Sequence, residues 1–458
     1  MKIIELLLLG STLFGLSLTA ATNLIERVEI DKNRLDVIVN KEFKNAYLLE
    51  DFFVEYDADI DLEKLDYSVV IMPFIMNVAS LVWISGKEYY IESMDKDVFD
   101  SLERIKAIFK VFYPKTTWNG TIIPKKLVLN KPVPSSPTKA ALLFSGGLDS
   151  TSTSLAHLDK EQLLITAWGQ SALPLDDAPF WYKIKRHLGA FAETYKHKTA
   201  YIKSNYYYFL NLKKLQNLSP EIVTWRINTI EDIGWAGLTA PILITQGISS
   251  LYIAASDTWG FAYPSACNPY IDANITFAGI QIMHDQFEWS RYDKVAFIAD
   301  LVKQKKAEKP QFIICQKRGG IINCTACEKC LLTILSLLAE GEQPYDYGFN
   351  TTVGLTKKNM QKLFKLGTLS ACGLWQFKDL QKKVQQNRNS NQLDKQHNSN
   401  SNQHAKHHNI KHGKKNQSCD LEWLLSFDFS KKKAYDVRHT QCVDWSILEK
   451  MFPDIKNQ

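Results

Sequence analysis

Two stretches of the sequence carry residues whose types and spacing suit chemistry. The first runs from Ala141 to Ser150, ALLFSGGLDS, an apolar run broken by a glycine-bearing hydroxyl loop before the pattern resumes from Thr151 to Leu158. It reads as a buried strand, a turn and a helix start, with Ser145, Gly146, Gly147, Leu148, Asp149, Ser150 and Thr151 forming the turn. Two consecutive glycines let the backbone turn tightly and approach an anion, and the helix start adds free N–H groups and the positive end of its dipole. Ser145, Ser150 and Thr151 supply hydroxyl donors. Asp149, a carboxylate beside a phosphate, makes sense as a ligand of the Mg2+ that accompanies a nucleotide. The competing reading is an ordinary strand-to-helix turn.

The second stretch holds Cys315, Cys324, Cys327 and Cys330 in the spacing C-x8-C-x2-C-x2-C. Four thiolates so close in sequence can fold around a tetrahedral ion about 2.3 Å from each sulfur, and a site with no open position is a structural one. Zn2+ is the expected ion. An Fe–S cluster is its rival, although the x3-C-P continuation is missing. Of the eight cysteines in the chain these four are clustered, which in an enzyme-sized chain favours a metal over a disulfide framework.

The elements that must position these groups follow from the periodicity. Residues 163–167 read as a strand ending on Trp168, Gly169 and Gln170, and residues 250–255 as another, delivering the polar loop Ser256 to Pro269. Parallel α/β sheets bind ligands at the carboxyl ends of their strands, so both tripeptide and loop belong near the nucleotide. Asp257 is the loop's candidate ligand for metal or substrate. Arg291 and Lys294 open an amphipathic helix to Gln304, with Lys294 a candidate charge clamp on the phosphates. Residues 311–314 read as a strand leading to Cys315, and residues 331–339 as an apolar helix. Helices are also expected over 178–195 and 237–249, and a strand over 200–203. Tyr206 to Phe209 suits either base stacking or a buried helix edge.

Upstream, residues 24–130 alternate apolar runs with acidic and aromatic stretches, including a helix-period pattern from Asp97 to Tyr113, and read as an α/β accessory domain without a catalytic constellation. The proline-rich connector from Lys131 to Pro137 marks a boundary. The expected domains are therefore 1–134 (accessory), 135–345 (nucleotide site and four-cysteine metal site), 346–384 (extension), 385–418 (low-complexity and disordered) and 419–458 (an apolar tail able to dock back).

With 458 residues, 45% hydrophobic and 12% aromatic, the chain can bury the cores of two or three domains. Its net charge of +6 lies mostly in residues 381–418, where eight Lys/Arg face one Asp, so the folded remainder is near neutral and no nucleic-acid groove is implied. A cytoplasmic location fits an ATP site and thiolates. The alternative rests on residues 1–21, whose Lys2, apolar Leu6 to Leu18 and small residues outline a signal peptide spoiled by Glu5.

Ser145 to Ser150 after an apolar strand resembles the PP-loop of the ATP pyrophosphatase superfamily, and no Gly-Lys-Ser/Thr follows as in a Walker loop. The resemblance implies a Rossmann-like α/β/α sandwich on a parallel sheet. It also implies an enzyme that splits ATP between the α and β phosphates and transfers AMP to a carboxylate-type oxygen. Within the superfamily the pieces are most similar to the 7-cyano-7-deazaguanine synthase family, which turns a carboxylate into a nitrile with ATP and ammonia. Trp168-Gly169-Gln170 is similar to its Tyr-Gly-Gln, Tyr263-Pro264 to Pro269 to its substrate loop, Lys294 to a helix lysine, and the four cysteines to its zinc site. The similarity covers about residues 139–340. The family's Arg-Asn element is missing, the Tyr-Pro loop has an inserted residue and lacks its Arg, and residues outside that span have no counterpart.

The resemblance thus implies ATP, Mg2+ and Zn2+ as cofactors and a small carboxylate as second substrate, with no nucleic acid required and no firm membrane partner. It puts nucleotide contacts on residues 145–151 and 168–170, catalytic roles on Asp149, Ser150, Asp257 and Lys294, and metal on the four cysteines. An adenylating epimerase of a cell-wall precursor, a different member of the superfamily, is the alternative enzyme. A non-catalytic ATP-binding protein is the alternative of another class.

Overall fold

The computed structural model describes residues 22–57, 60–134, 138–315, 322–352, 355–365, 369–399, 421–431 and 445–455. The signal-like residues 1–21 lie outside them. Among the described residues no helix is long and apolar enough to cross a membrane.

The fold is mixed α/β, built on one nine-stranded sheet. In chain order its strands are β1 (Ile25–Asp31), β2 (Arg34–Val39), β3 (Phe52–Tyr56), β4 (Lys139–Leu143), β5 (Glu161–Trp168), β6 (Lys198–Ser204), β7 (Ser250–Ala254), β8 (Thr276–Phe277) and β9 (Ile280–Asp285). Across the sheet they run β8-β9-β7-β4-β5-β6-β3-β2-β1. The five strands from β9 to β6 are mutually parallel, and the others add antiparallel edges. Fully buried Ala140 to Leu142 in β4 and Leu163 to Ala167 in β5 are near-continuous apolar runs, as expected of strands covered on both faces.

Strand order decides where the crevice lies. From β4 the chain steps to β5 and β6 on one side, then returns to β7 and β9 on the other. Such a reversal leaves an opening outside the carboxyl ends of the two strands flanking it, here β4 and β7.

Residues 1–134 were expected as an α/β accessory domain; they form a small three-stranded sheet of their own and also lend three strands to the central sheet. β3 pairs antiparallel with β6, Ile202 opposite Tyr56 and Ser204 opposite Val54, so the N-terminal meander prolongs the same sheet. Helix α1 (Met72–Ser85) is buried along nearly its whole length, and α2 (Lys96–Phe112) follows the helix-period pattern read from Asp97 to Tyr113. α1 lies against α5 (Glu231–Thr245), and glycines make that approach close: a Cβ on Gly237 would stand 2.7 Å from Met76 Cβ, and one on Gly234 would stand 2.4 Å from Asn77 Oδ1. Asn77 in turn donates to the carbonyl of Gly234. Between α2 and α5 in the chain come α3 (Leu148–Ala156) and α4 (Ala178–Tyr195), and after α5 come α6 (Arg291–Lys303), α7 (Glu328–Ala339) and α8 (Ala371–Ser399).

Two expectations are corrected. Residues 311–314 are extended but join no sheet among the described residues. They run instead beside the glycine turn, with Ile313 N–H donating to Gly146 O at 2.7 Å and Asn323 bridging Ile314 N–H and Phe312 O. Residues 385–399, expected to be disordered, continue α8. Phe377, Leu380 and Val384 anchor the first half of that helix in the core, and extending a formed helix through Gln and Lys costs little. The rest of the low-complexity segment, 400–418, lies outside the described residues. Leu424 and Phe429 of the tail are buried against this core, with Trp423 stacked on Phe364 at 5.6 Å.

Gly237→Val is expected to lower stability by roughly 1–3 kcal/mol through overpacking. Because N-terminal and central strands share one sheet, denaturant titration followed by fluorescence and circular dichroism should show a single transition. Two separated transitions would contradict the shared sheet.

Candidate active site

β4 ends at Leu143, Phe144 is buried, and the turn begins at Ser145. Gly146 has φ +70°, and a Cβ there would meet Ile313 and Leu188 at 2.9 Å, so the turn needs glycine for both conformation and space. Gly147 is the N-cap of α3, and no side chain caps that helix. The amide groups of its first turn therefore face the crevice as an anion-binding end. Ser145 and Ser150 tie the turn together: their hydroxyls lie 3.2 Å apart and Gly147 N–H donates to Ser145 Oγ at 3.3 Å. Leu148 and Thr151 are buried within α3, so their side chains serve packing.

Asp149 points at cations. Arg291 Nη2 donates to its Oδ2 at 2.9 Å and Lys294 Nζ to its Oδ1 at 3.3 Å, both from the first turn of α6. Burial pushes the Asp149 carboxyl up, and the charges of Arg291, Lys294 and Lys329 outweigh it and hold the group below its ordinary value. Lys294 is 1% exposed and also donates to Ala255 O. Expected as a clamp on phosphates, it is committed to Asp149 and to the end of β7. Arg291 reaches further, since its guanidinium lines the crevice and its Nε has no partner.

The crevice holds two adjoining cavities. One, of about 160 Å3, is lined by Ser145, Gly147, Asp149, Thr166 and Gln170. The other, of about 330 Å3, is lined by Asn228, Asp257, Tyr263 and Cys372 among others. Ser256, Arg291 and Lys329 line both and form the junction. Of the tripeptide after β5, Gln170 alone reaches the first cavity. Trp168 stacks on Trp181 at 5.6 Å and donates to Pro174 O, while Gly169, at φ +112°, lies where a Cβ would stand 1.8 Å from Ser204 O. Those two residues shape the floor. Asp257 sits in the second cavity, beside the junction; burial pushes its carboxyl up, and the Cys372 thiol donates to Oδ1 at 3.4 Å.

Lys329 is the functional group that sequence reasoning passed over. It stands between two of the clustered cysteines on the first turn of α7, and burial together with the Arg291 charge pushes its ammonium below its usual value. The extension over 346–384 was likewise missed as a contributor. Ser370, Gly373 and Gln376 line the second cavity, Ser370 bonds Glu328 through N–H and hydroxyl, and Gln376 Oε1 accepts from Arg291 N–H. Tyr206 and Phe209 are buried in the core, with Arg226 over the Tyr206 ring at 4.5 Å, so the aromatic run is structural.

Cys315, on the extended segment, and Cys324, Cys327 and Cys330, at the start of α7, come together with all four sulfurs within 4.8 Å of one another. Thiolates about 2.3 Å from a tetrahedral ion stand about 3.8 Å apart, and Cys327 Sγ is 4.0 Å from Cys315 Sγ. The cluster can hold a metal such as zinc. It clamps the 311–315 segment to α7 and so fixes both Ile313 beside the turn and Lys329 at the junction. Compared with protein-family models, with curated proteins and with solved structures, the chain matches none of them.

Two outcomes follow. Cys327→Ser should lose the bound metal, measured by elemental analysis, and melt at lower temperature, because a structural site contributes folding energy. Asp149, with a depressed folded-state pKa, contributes stability that is present above its unfolded value of 3.8 and is lost as pH falls through the folded value. Urea titrations between pH 5 and about 2.5 should therefore show a shallower acid-side loss in Asp149→Asn than in the parent. Equal slopes would contradict the ion-pair assignment.

Proposed function

We propose that the chain is a PP-loop ATP pyrophosphatase: it binds ATP with its phosphates on the Ser145–Ser150 turn and transfers AMP to a small carboxylate held in the neighbouring cavity. The observation that carries this reading is the junction, where Ser256, Arg291 and Lys329 border both the turn's cavity and the larger one. An in-line transfer needs donor and acceptor within about 3–3.5 Å, which requires two sites that open into each other. The reversal of strand order between β4 and β7 puts both sites at the sheet end where parallel α/β folds bind nucleotides.

Each residue then has a role. The uncapped amides of α3 and the Ser145 hydroxyl receive phosphate oxygens. Arg291 and Lys329 neutralise charge that develops as pyrophosphate departs. Asp149, once the incoming phosphates draw Arg291 away, becomes available to Mg2+, which would supply further charge neutralisation at the leaving group. Asp257 orients the acceptor, and Zn2+ on the four cysteines braces the scaffold.

The larger cavity, bordered by Asn228, Tyr263 and Gln376, has room for a ring-sized acceptor, in line with a 7-cyano-7-deazaguanine synthase-like substrate; an adenylating epimerase of a cell-wall precursor is the alternative.

Calorimetric titration with Mg-ATP and pyrophosphate release with a panel of carboxylates test the proposal. The parent should bind ATP and release pyrophosphate with at least one carboxylate. Ser145→Ala and Asp149→Ala should each lower release about 10–1,000-fold, and Asp257→Ala should reduce carboxylate-stimulated release while leaving ATP affinity within about two-fold. ATP binding with no release for any carboxylate favours a non-catalytic nucleotide-binding protein. No ATP binding defeats the proposal.

A further inference from the structure

Away from the four cysteines, three other elements bring potential ligands together. Asp232 lies in the first turn of α5, Asp272 ends the short helix Pro269–Asp272, and His284 is in β9. A ring nitrogen of His284 and one carboxylate oxygen each from Asp232 and Asp272 lie within 4.8 Å of one another. The side chains of Asp272 and His284 are 0% and 4% exposed, and His284 Nδ1 stands 2.7 Å from Asp272 Oδ2. That contact leaves two buried atoms, His284 Nε2 and Asp272 Oδ1, with no hydrogen-bond partner. Among the described residues no lysine or arginine forms an ion pair with Asp232 or Asp272, and the nearby guanidinium of Arg226 is committed to Glu231 at 2.9 Å. Asp232 also faces the Cys267 thiol and the Asp272 carboxyl, and the nearby Lys294 is committed to Asp149. Two buried carboxylates and an imidazole with no ion pair to a lysine or arginine form an arrangement that a divalent ion would satisfy.

We propose that Asp232, Asp272 and His284 form a second metal site, distinct from the thiolate cluster, for a divalent first-row transition ion. The donor set selects the ion class: two hard carboxylate oxygens with one imidazole nitrogen suit Zn2+, Mn2+ or Co2+ better than Mg2+ or Ca2+, which prefer all-oxygen shells. Three protein ligands leave a coordination position open. Asp232 and His284 line the larger cavity, as does Cys267 between them in the chain, so the open position faces that cavity. An ion there is placed to hold a carboxylate or carbonyl oxygen of whatever occupies it. The role assigned to the open position rests on the proposed acceptor cavity, whereas occupancy of the site by metal does not.

The test uses the full-length protein without ATP. After dialysis against chelator, the metal that resists removal is counted, and the protein is titrated separately with Zn2+, Mn2+ and Co2+ by calorimetry and elemental analysis. The expected result is one weaker ion per chain beyond the thiolate-held one. Asp272→Asn and His284→Gln should each weaken that addition at least ten-fold while keeping the thiolate-held ion. Cys327→Ser should keep the weaker site and lose the other. Should Asp272→Asn fail to fold, the nearly isosteric His284→Gln and the parent titration still decide. A parent chain that takes up none of the three ions beyond the thiolate site overturns the proposal, and so does uptake undiminished in His284→Gln. ATP binding measured in the same samples separates this result from the nucleotide proposal.

Discussion

The contact on which the crevice depends is the one between Asp149 and two cations of α6. Asp149 enters from the first turn of α3, just after the glycine turn, and Arg291 and Lys294 from the far side of the crevice; the Arg291 contact at 2.9 Å is charge-assisted, and Lys294 stands at 3.3 Å. Removing either side of a buried pair strands an uncompensated charge at a cost of about 3–5 kcal/mol. The turn and α6 are therefore held at one separation, and the segment through Ile313 is held against the turn by the carbonyl of Gly146. One carboxylate facing Arg291 and Lys294, with Lys329 close by, leaves cationic charge in excess at this point of the crevice. Under the proposed function an incoming polyanion would compete with Asp149 for Arg291, and the carboxylate it displaced would be placed for a divalent cation.

The thiolate cluster bears on that arrangement from beneath. It joins the extended 311–315 segment to the start of α7, and α7 carries Lys329 into the junction. α8 closes the opposite side, where Gly373 lies so near Glu328 that a Cβ would stand 2.0 Å from its carboxylate carbon, and Gly260 meets the Trp375 ring at 2.5 Å by the same measure. The larger cavity is consequently walled by segments more than 100 residues apart, from Asn228 to Gln376.

What could be read in the sequence was local. The glycine turn, the spacing of the cysteines and the helical patterns of Lys96–Phe112 and Ala178–Tyr195 each arise within a few turns of chain, and all appear as helices, turn or cluster. The apolar alternation of β1 to β3 marks strands without saying which edge they join, so their pairing with β6, some 150 residues away, was not legible. The run Phe312-Ile313-Ile314 has strand composition, yet it is held beside the glycine turn by the Ile313 N–H to Gly146 O bond and by Asn323, long-range partners rather than a neighbouring strand. Lys329 was hidden inside the cysteine spacing, where a single charged residue reads as helix surface. Ser370 and Gln376 acquire meaning only from Glu328 and Arg291, partners that no local pattern announces.

The central claim is that the turn after β4 receives the phosphates of a nucleotide whose α-phosphate faces the junction with the larger cavity. A crystal structure of the full chain with Mg2+ and α,β-methylene-ATP tests it most directly. Phosphate oxygens are expected on the amides of residues 147–150, Arg291 moved from Asp149 to the triphosphate, and the α-phosphate beside Ser256 and Lys329. A nucleotide bound elsewhere, or the turn empty with Arg291 still paired to Asp149 at saturating analogue, would contradict it.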